Sequence, residues 1–497
     1  LSPMKTFILV PAFLALAALP ATSAPDDMAL ASRLTWGPTA DGQGVEGQNA
    51  RRWLEQQLHP SDDDDLPPQA QVQIAALSIT TKPMEQIAID VKQLQLQVQA
   101  AKGTDRAKDA GKSYQDALNT LSREAQTRSL LRDLYYRNQL KEQLTWFWLN
   151  HFNVHAPKGV IRALVGDYEE TAIRPHVLGP FRELLAATLF HPAMIQYLDN
   201  QQNAVGKINE NYAREIMELH TMGVGSGYSQ ADVQELARIL TGVGVNLSGQ
   251  PRLGPANQKQ YVSDGLFEFN PRRHDFGDKT FLGQTIKGTG LDEVSQAIDI
   301  LARQPATAKL ISTQLAQYFC CDAPSAALVK AMSATFQKSD GDIAAVLRTL
   351  FASAEFRASL GKKFKDPMHW TVSALRASFG SHVVTNTQPV INWLNRMGEP
   401  LYGHETPDGY PLVEAAWSGP GQMATRFEIA RQIGAGAPQL FRPDNAPPVP
   451  TPPPMLEQTA YYISLALPAA TKTAITQGAT QADRNMLFLS SPDFMRR

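Results

Sequence analysis

Apolar residues recur every three to four positions along most of this chain, which predicts a mainly all-α protein. Residues 29–58 read as two short helices around a glycine-rich turn, and residues 69–136 as two long amphipathic helices. The long pair is rich in Gln, Ala, Leu and Lys, and it breaks near Lys102 and Gly103. The pattern leaves open whether these helices pair with each other or with a partner. Residues 139–154 (QLKEQLTWFWLNHFNV) continue as a helix of different character. At about 100° per residue, Leu144, Phe147, Trp148, His151 and His155 fall on one face, which sets His151 among aromatic rings. Two further runs, 181–200 and 300–319, show helix, Pro break and helix.

Five segments follow from this reading. They are a signal peptide (1–23), an N-terminal helical region (24–136), a main helical domain (137–441), a Pro-rich linker (442–454) and a helical end-piece (455–497). Lys5 and the apolar run 7–19, followed by small residues at Ala21, Thr22 and Ser23, have the order of a secretory signal. Cleavage near Ser23 leaves roughly 470 residues for the periplasm or beyond, with no transmembrane segment and room for a sizeable core. The four aspartates 62–65 lack the spacing and glycine of a calcium loop and read as a solvated linker.

Charge narrows the partners. Lys plus Arg number 46 against 48 Asp plus Glu, a balance that argues against nucleic acid as ligand. Cys320 and Cys321 are the only cysteines, so there is no disulfide framework and no thiolate zinc site. A vicinal disulfide is open to the adjacent pair in an oxidising compartment but is strained and rare, and the plainer reading is two small hydrophobes near a helix end.

Candidate chemistry concentrates in residues 209–242 (NENYAREIMELHTMGVGSGYSQADVQELARILTG). With Asn209 as N-cap, Glu210, Arg214 and Glu218 form an i, i+4 ladder. His220 falls roughly 140° to 160° around a regular helix from Glu215 and Glu218, which disfavours a clamp of those three. Two readings remain for Glu215 and Glu218. One is a salt-bridged face. The other is a carboxylate pair completed by His151 or His274 from elsewhere, suited to a divalent transition metal or to acid–base work. Met222 and Gly223 end this helix, and Ser229 with Asp232 opens the next as a capping box. The intervening GxGxG follows a helix rather than a strand, so a dinucleotide loop is excluded on context. Residues 270–283 (NPRRHDFGDKTFLG) read as a turn in which His274 and Asp275 could orient an imidazole, hold a metal or read an anion, or simply face solvent. Residues 405–410 (ETPDGY) read as a turn with an exposed aromatic.

These motifs, with WFWLNHF, IRPHVLGPFRELL, HPAMIQYLDN, ARQPATAKLISTQLAQYF and TPDGYP in the same order, resemble the bacterial domain-of-unknown-function family 1800 (DUF1800). The resemblance runs from about residue 29 to the C-terminus. It implies a helical, exported protein. Genes of that family often lie beside one for a secreted protein with a sulfatase-like fold, so the resemblance implies such a protein as partner. It supplies no catalytic assignment. Val243 stands where the family usually has tryptophan, and His155 and the cysteines are peculiar to this chain. Two classes of function follow. The first is a binding or assembly partner of a secreted sulfatase-like protein or cell-surface component. The second is a metal-assisted, hydrolase-like enzyme acting on an extracytoplasmic polymer or glycan through His151, Glu215, Glu218 and His274.

Overall fold

A computed structural model describes residues 24–40, 50–61, 65–247, 251, 253–442, 447, 450–457 and 467–497. The signal segment 1–23 lies outside them, as do 62–64 of the acidic linker, most of 443–449 and residues 458–466 of the end-piece.

The protein is mainly all-α. Among the described residues the strands are five segments of three residues each, forming a three-stranded antiparallel sheet and a hairpin. In the sheet, Phe267–Phe269 lies between Val243–Val245 and Val262–Asp264; the hairpin pairs Lys279–Phe281 with Gln284–Ile286. Sequence periodicity missed them because three residues hold too little alternation to register.

The helical region 69–136 contains more breaks than the periodicity predicts. Pro68–Ala75 and Ser78–Thr81 precede Met84–Ala100, with Pro83 in extended backbone at the last boundary. Met84–Ala100 then packs on Ala107–Tyr135 through Ile87, Val91, Leu118 and Leu121, so the long helices pair with each other. The break between them falls where expected, at Gly103, whose φ of +77° suits glycine. The predicted breaks at Pro192 and Pro305 are also present, separating Phe181–Phe190 from Pro192–Tyr197 and Asp292–Ala302 from Pro305–Phe319.

Gln139–His151 is the central helix, with every residue buried except Lys141 and Asn150. It stops three residues earlier than predicted, so His155 does not share its face with His151. Asn153 and His155 leave the helix to hold a distant loop, described below. One hydrophobic cluster runs from Ala31 and Trp36 through this helix to Phe488, Leu489 and Met495. Cys320 is buried and Cys321 half-buried just past Phe319; both are free thiols, 3.2 Å apart.

Arg33, fully buried in the helix Ala24–Leu34, ties distant segments together. Its guanidinium donates to the carbonyls of Phe319, Cys320, Ser359 and Arg497 and to Ser359 Oγ, at 2.5 to 3.1 Å. Replacing it leaves several buried acceptors without donors. Arg33→Met is expected to lower unfolding stability by about 3 to 5 kcal/mol. Denaturant titration measures this, and an unchanged midpoint would show that the node is dispensable.

Candidate functional site

The helix carrying NENYAREIMELH begins at Asn211, one residue later than Asn209 as N-cap implies, although Asn209 Oδ1 still accepts the Asn211 N–H at 3.0 Å. It is α-helical only to Glu215 and widens to a π-turn over Ile216–Thr221. In that turn Met222 N–H donates five residues back to Met217, and the Thr221 hydroxyl donates to the Ile216 carbonyl. The regular helix assumed from sequence therefore ends halfway. The partition of faces survives: Ala213, Ile216, Met217 and His220 are buried, while Arg214, Glu215 and Glu218 are half-buried. The ladder is present, with Arg214 at 3.1 Å from Glu210 and 3.4 Å from Glu218. Gln230, in the capping-box helix Gln230–Ile239, extends it by bonding both Arg214 and Glu210. The expected core positions of that helix, Val233, Leu236, Ile239 and Leu240, are all buried.

The candidate histidines lie inside the protein. His151 sits among aromatic rings as predicted, edge-on to Phe152 at 4.5 Å and to Trp148 at 5.4 Å. Its Nε2 lies 3.0 Å from the His220 carbonyl and its Nδ1 2.7 Å from the Gln314 amide. Both contacts are to oxygens. A neutral imidazole satisfies the pair when the Gln314 amide is turned to present its NH2. Burial holds His151 at a pKa of about 4. His220 is driven down to about 3 by burial and by His151, and its Nε2 has no partner among the described residues.

His274 does not face solvent. Its side chain is fully buried, with Nδ1 2.7 Å from the Thr241 carbonyl and Nε2 2.9 Å from Glu293. Lys279, also fully buried, reaches the same carboxylate. Burial works against the Glu293 charge, yet hydrogen bonds from His274, Lys279 and Gly290 N–H hold its pKa below the ordinary value. Asp275 is pinned instead by Arg238, whose Nε donates at 2.8 Å. That bond, against desolvation and helped by Gly277 N–H, lowers Asp275 to about 2. The fold therefore does not gather His151, Glu215 and Glu218 around one point. Among the described residues, the only trio of His, Cys, Asp or Glu with ligand atoms within 4.8 Å of one another is Cys320, Cys321 and Glu355.

The loop 401–410 is what meets Glu215. Asn150 clamps its backbone, accepting from Tyr410 N–H at 2.6 Å and donating to the Tyr410 carbonyl at 2.9 Å. Asn153 donates to the carbonyls of His404 and Thr406, His155 contacts that of His404, and the Tyr197 hydroxyl donates to that of Glu405. Asp408 thereby comes within electrostatic reach of Glu215, and Tyr228 lies beside Glu218. Desolvation, then Glu218, raises the Glu215 carboxyl; Arg214 opposes and Asp408 adds to the rise. Asp408 is lowered, because hydrogen bonds from Thr406 and His404 outweigh its desolvation. Glu215 has no hydrogen-bond partner among the described residues. Tyr410 is not the exposed aromatic expected: it is half-buried, stacks on Trp146 at 6.3 Å and donates to the Pro400 carbonyl. Sequence reasoning missed Asn150, Asn153, Tyr197 and Asp408. The asparagines of WLNHFNV were the available signal, since buried amides need dedicated partners.

Two outcomes follow. Gly409 has φ +72°, and a Cβ there would sit 2.2 Å from the Asn150 carbonyl oxygen. Gly409→Ala is expected to cost about 2 to 4 kcal/mol in chemical denaturation. Gly421→Ala, in the first turn of the helix Pro420–Gly434 with open space around it, serves as the control that should not destabilise. The second concerns pH. A raised folded pKa means the native state disfavours the Glu215 charge, so that cost is absent below the unfolded pKa and complete above the folded one. Glu215→Gln should raise the melting temperature near neutral pH and leave it unchanged near about pH 4; an equal gain at both would sink the assignment.

No curated protein and no solved structure matches the chain. No helix among the described residues is long and apolar enough to cross a membrane. The family described as "Protein of unknown function (DUF1800)" matches residues 29–496, nearly the whole chain, and the protein belongs to that family.

Proposed function

We propose that this DUF1800 protein is exported and acts as a binding or assembly component, docking a partner protein through the face formed by the helix 211–221 and the loop 401–410. The observation that carries this reading is the contrast between inside and outside. His151 and His274 are committed to internal partners, whereas Glu215 stands half-buried without one. Glu218, Tyr228 and Asp408 complete an acidic face on a rigidly clamped frame. Exposed apolar residues flank the helix in sequence, with Val205 and Ile208 before it and Val224 after it. Apolar contact beside the unpaired Glu215 carboxylate and its acidic neighbours suits a polypeptide surface bearing Lys or Arg. The partner we name is the secreted sulfatase-like protein expected from the family resemblance.

One observation favours a second reading, a metal-assisted hydrolase acting on an extracytoplasmic polymer. Glu215 is raised while nearby Asp408 is lowered, the kind of split that separates a proton donor from a charged carboxylate. A divalent transition metal in that reading is held by Glu215 and Glu218, since no third His, Cys, Asp or Glu among the described residues converges with them within 4.8 Å.

Calorimetric titration of the sulfatase-like protein into wild type and into Glu215→Gln/Glu218→Gln separates the two. The double variant is expected to bind about tenfold or more weakly while keeping a cooperative thermal transition. Unchanged affinity, or absence of binding by wild type, overturns the docking reading. Stoichiometric metal in the wild type, lost from the variant, replaces it with the enzyme.

A further inference from the structure

A cleft of about 430 Å³ opens elsewhere in the molecule, sharing no residue with the face proposed above. It lies where Phe190, His191 and Pro192 turn the corner between two helices, facing the hairpin of Val262–Asp264 and Phe267–Phe269. Its volume falls in the range of small-molecule sites. Phe190 and Phe267 meet edge to face at 5.4 Å and form one wall, with Met84 and Leu291 adding apolar surface.

The polar lining is one-sided. Glu85, Asp167 and Asp264 contribute carboxylates, and no lysine or arginine lines the cleft. His191 brings no compensating charge. Its Nδ1 accepts the Ala193 N–H at 3.1 Å, so its proton resides on Nε2, which is 3.1 Å from Asp167. Burial, acting against Asp167, also favours the neutral ring. Glu85 and Asp264 have no ion pair or hydrogen bond among the described residues. Glu85 is moreover held against the hairpin tip: Gly265, at φ +54°, lets the backbone approach so closely that a Cβ would lie 2.5 Å from Glu85 Oε1.

We propose that this cleft binds a small organic ammonium ion, its charge among Glu85, Asp167 and Asp264 and its hydrocarbon body against Phe190 and Phe267. A bare metal ion fits less well. The acidic groups do not converge within 4.8 Å as a trio, and most of the wall is hydrocarbon. An amine on an alkyl chain uses both surfaces, since ring faces attract the cation as well as the carboxylates do. The chain as a whole is close to neutral, so the selectivity is local to the cleft.

Calorimetric titration with hexylammonium, and with hexan-1-ol as its uncharged counterpart, tests the assignment on the full chain. Hexylammonium should saturate at one per chain, with hexan-1-ol at least about tenfold weaker. Glu85→Gln/Asp264→Asn, both at the solvent-facing edge, should lose about tenfold for the ammonium only, while Phe267→Ala should weaken both ligands. Equal binding of alcohol and ammonium, non-saturating heats, or unchanged affinity in the carboxamide double variant overturns it. Competition by an acetylated lysine amide assigns the natural ligand to a polypeptide side chain, and its failure assigns it to a free amine. The docking face is untouched by these substitutions, so its own test stands or falls separately.

Discussion

The central helix 139–151 is buried on almost every side, and that constraint organises the rest of the molecule. A helix in that position cannot send its polar side chains to water, so each must find a partner inside. Glu142 takes Arg174 at 2.6 Å, Gln143 takes the Arg497 guanidinium at 2.8 Å, and Gln139 holds the backbone at Trp36, Asp133 and Tyr136. Residues from both ends of the sequence are thereby drawn to one helix. Arg33 repeats the arrangement one layer out. A missing partner in such a network costs more than the bond itself contributes, because the survivor stays buried and unsatisfied.

This explains which parts of the fold the sequence could reveal. Local devices read correctly: the Glu210–Arg214–Glu218 ladder, the capping box at Ser229 and Asp232, and the proline breaks at 192 and 305 all depend on residues within a few positions of each other. The π-turn at 216–221, the early end of the central helix and the short strands did not. The early helix end is tied to contacts far away in sequence, where Asn153 abandons the helix to hold the carbonyls of His404 and Thr406. Periodicity has no means of reporting a competitor some 250 residues distant.

The candidate site divides the same way. Glu215 and Glu218 could be singled out because density of charge on one helix is visible locally. Their neighbours Asp408 and Tyr197 were not. Histidine misled most, because its side chain is the residue of choice both for metals and for satisfied cores. Here His191, His274 and His369 each lie buried against a carboxylate, Asp167, Glu293 and Asp366. His274 and Asp275, adjacent in sequence, separate into two structural networks, one through Glu293 and one through Arg238.

Against an interior in which the buried acidic and basic candidates are mostly committed to partners, carboxylates left alone at the surface stand out. A half-exposed carboxylate keeps part of its water, so the fold gains little by pairing it. Bringing a partner over Glu215, or into the cleft at Glu85 and Asp264, removes that water and makes the unpaired charge expensive. Only an occupant that supplies positive charge offsets this, and an apolar or acidic one is rejected by several-fold or more. With 46 basic and 48 acidic residues, long-range attraction contributes little in either place. If both surfaces bind as proposed, they select by contact, with discrimination expressed mainly in how fast the wrong occupant leaves.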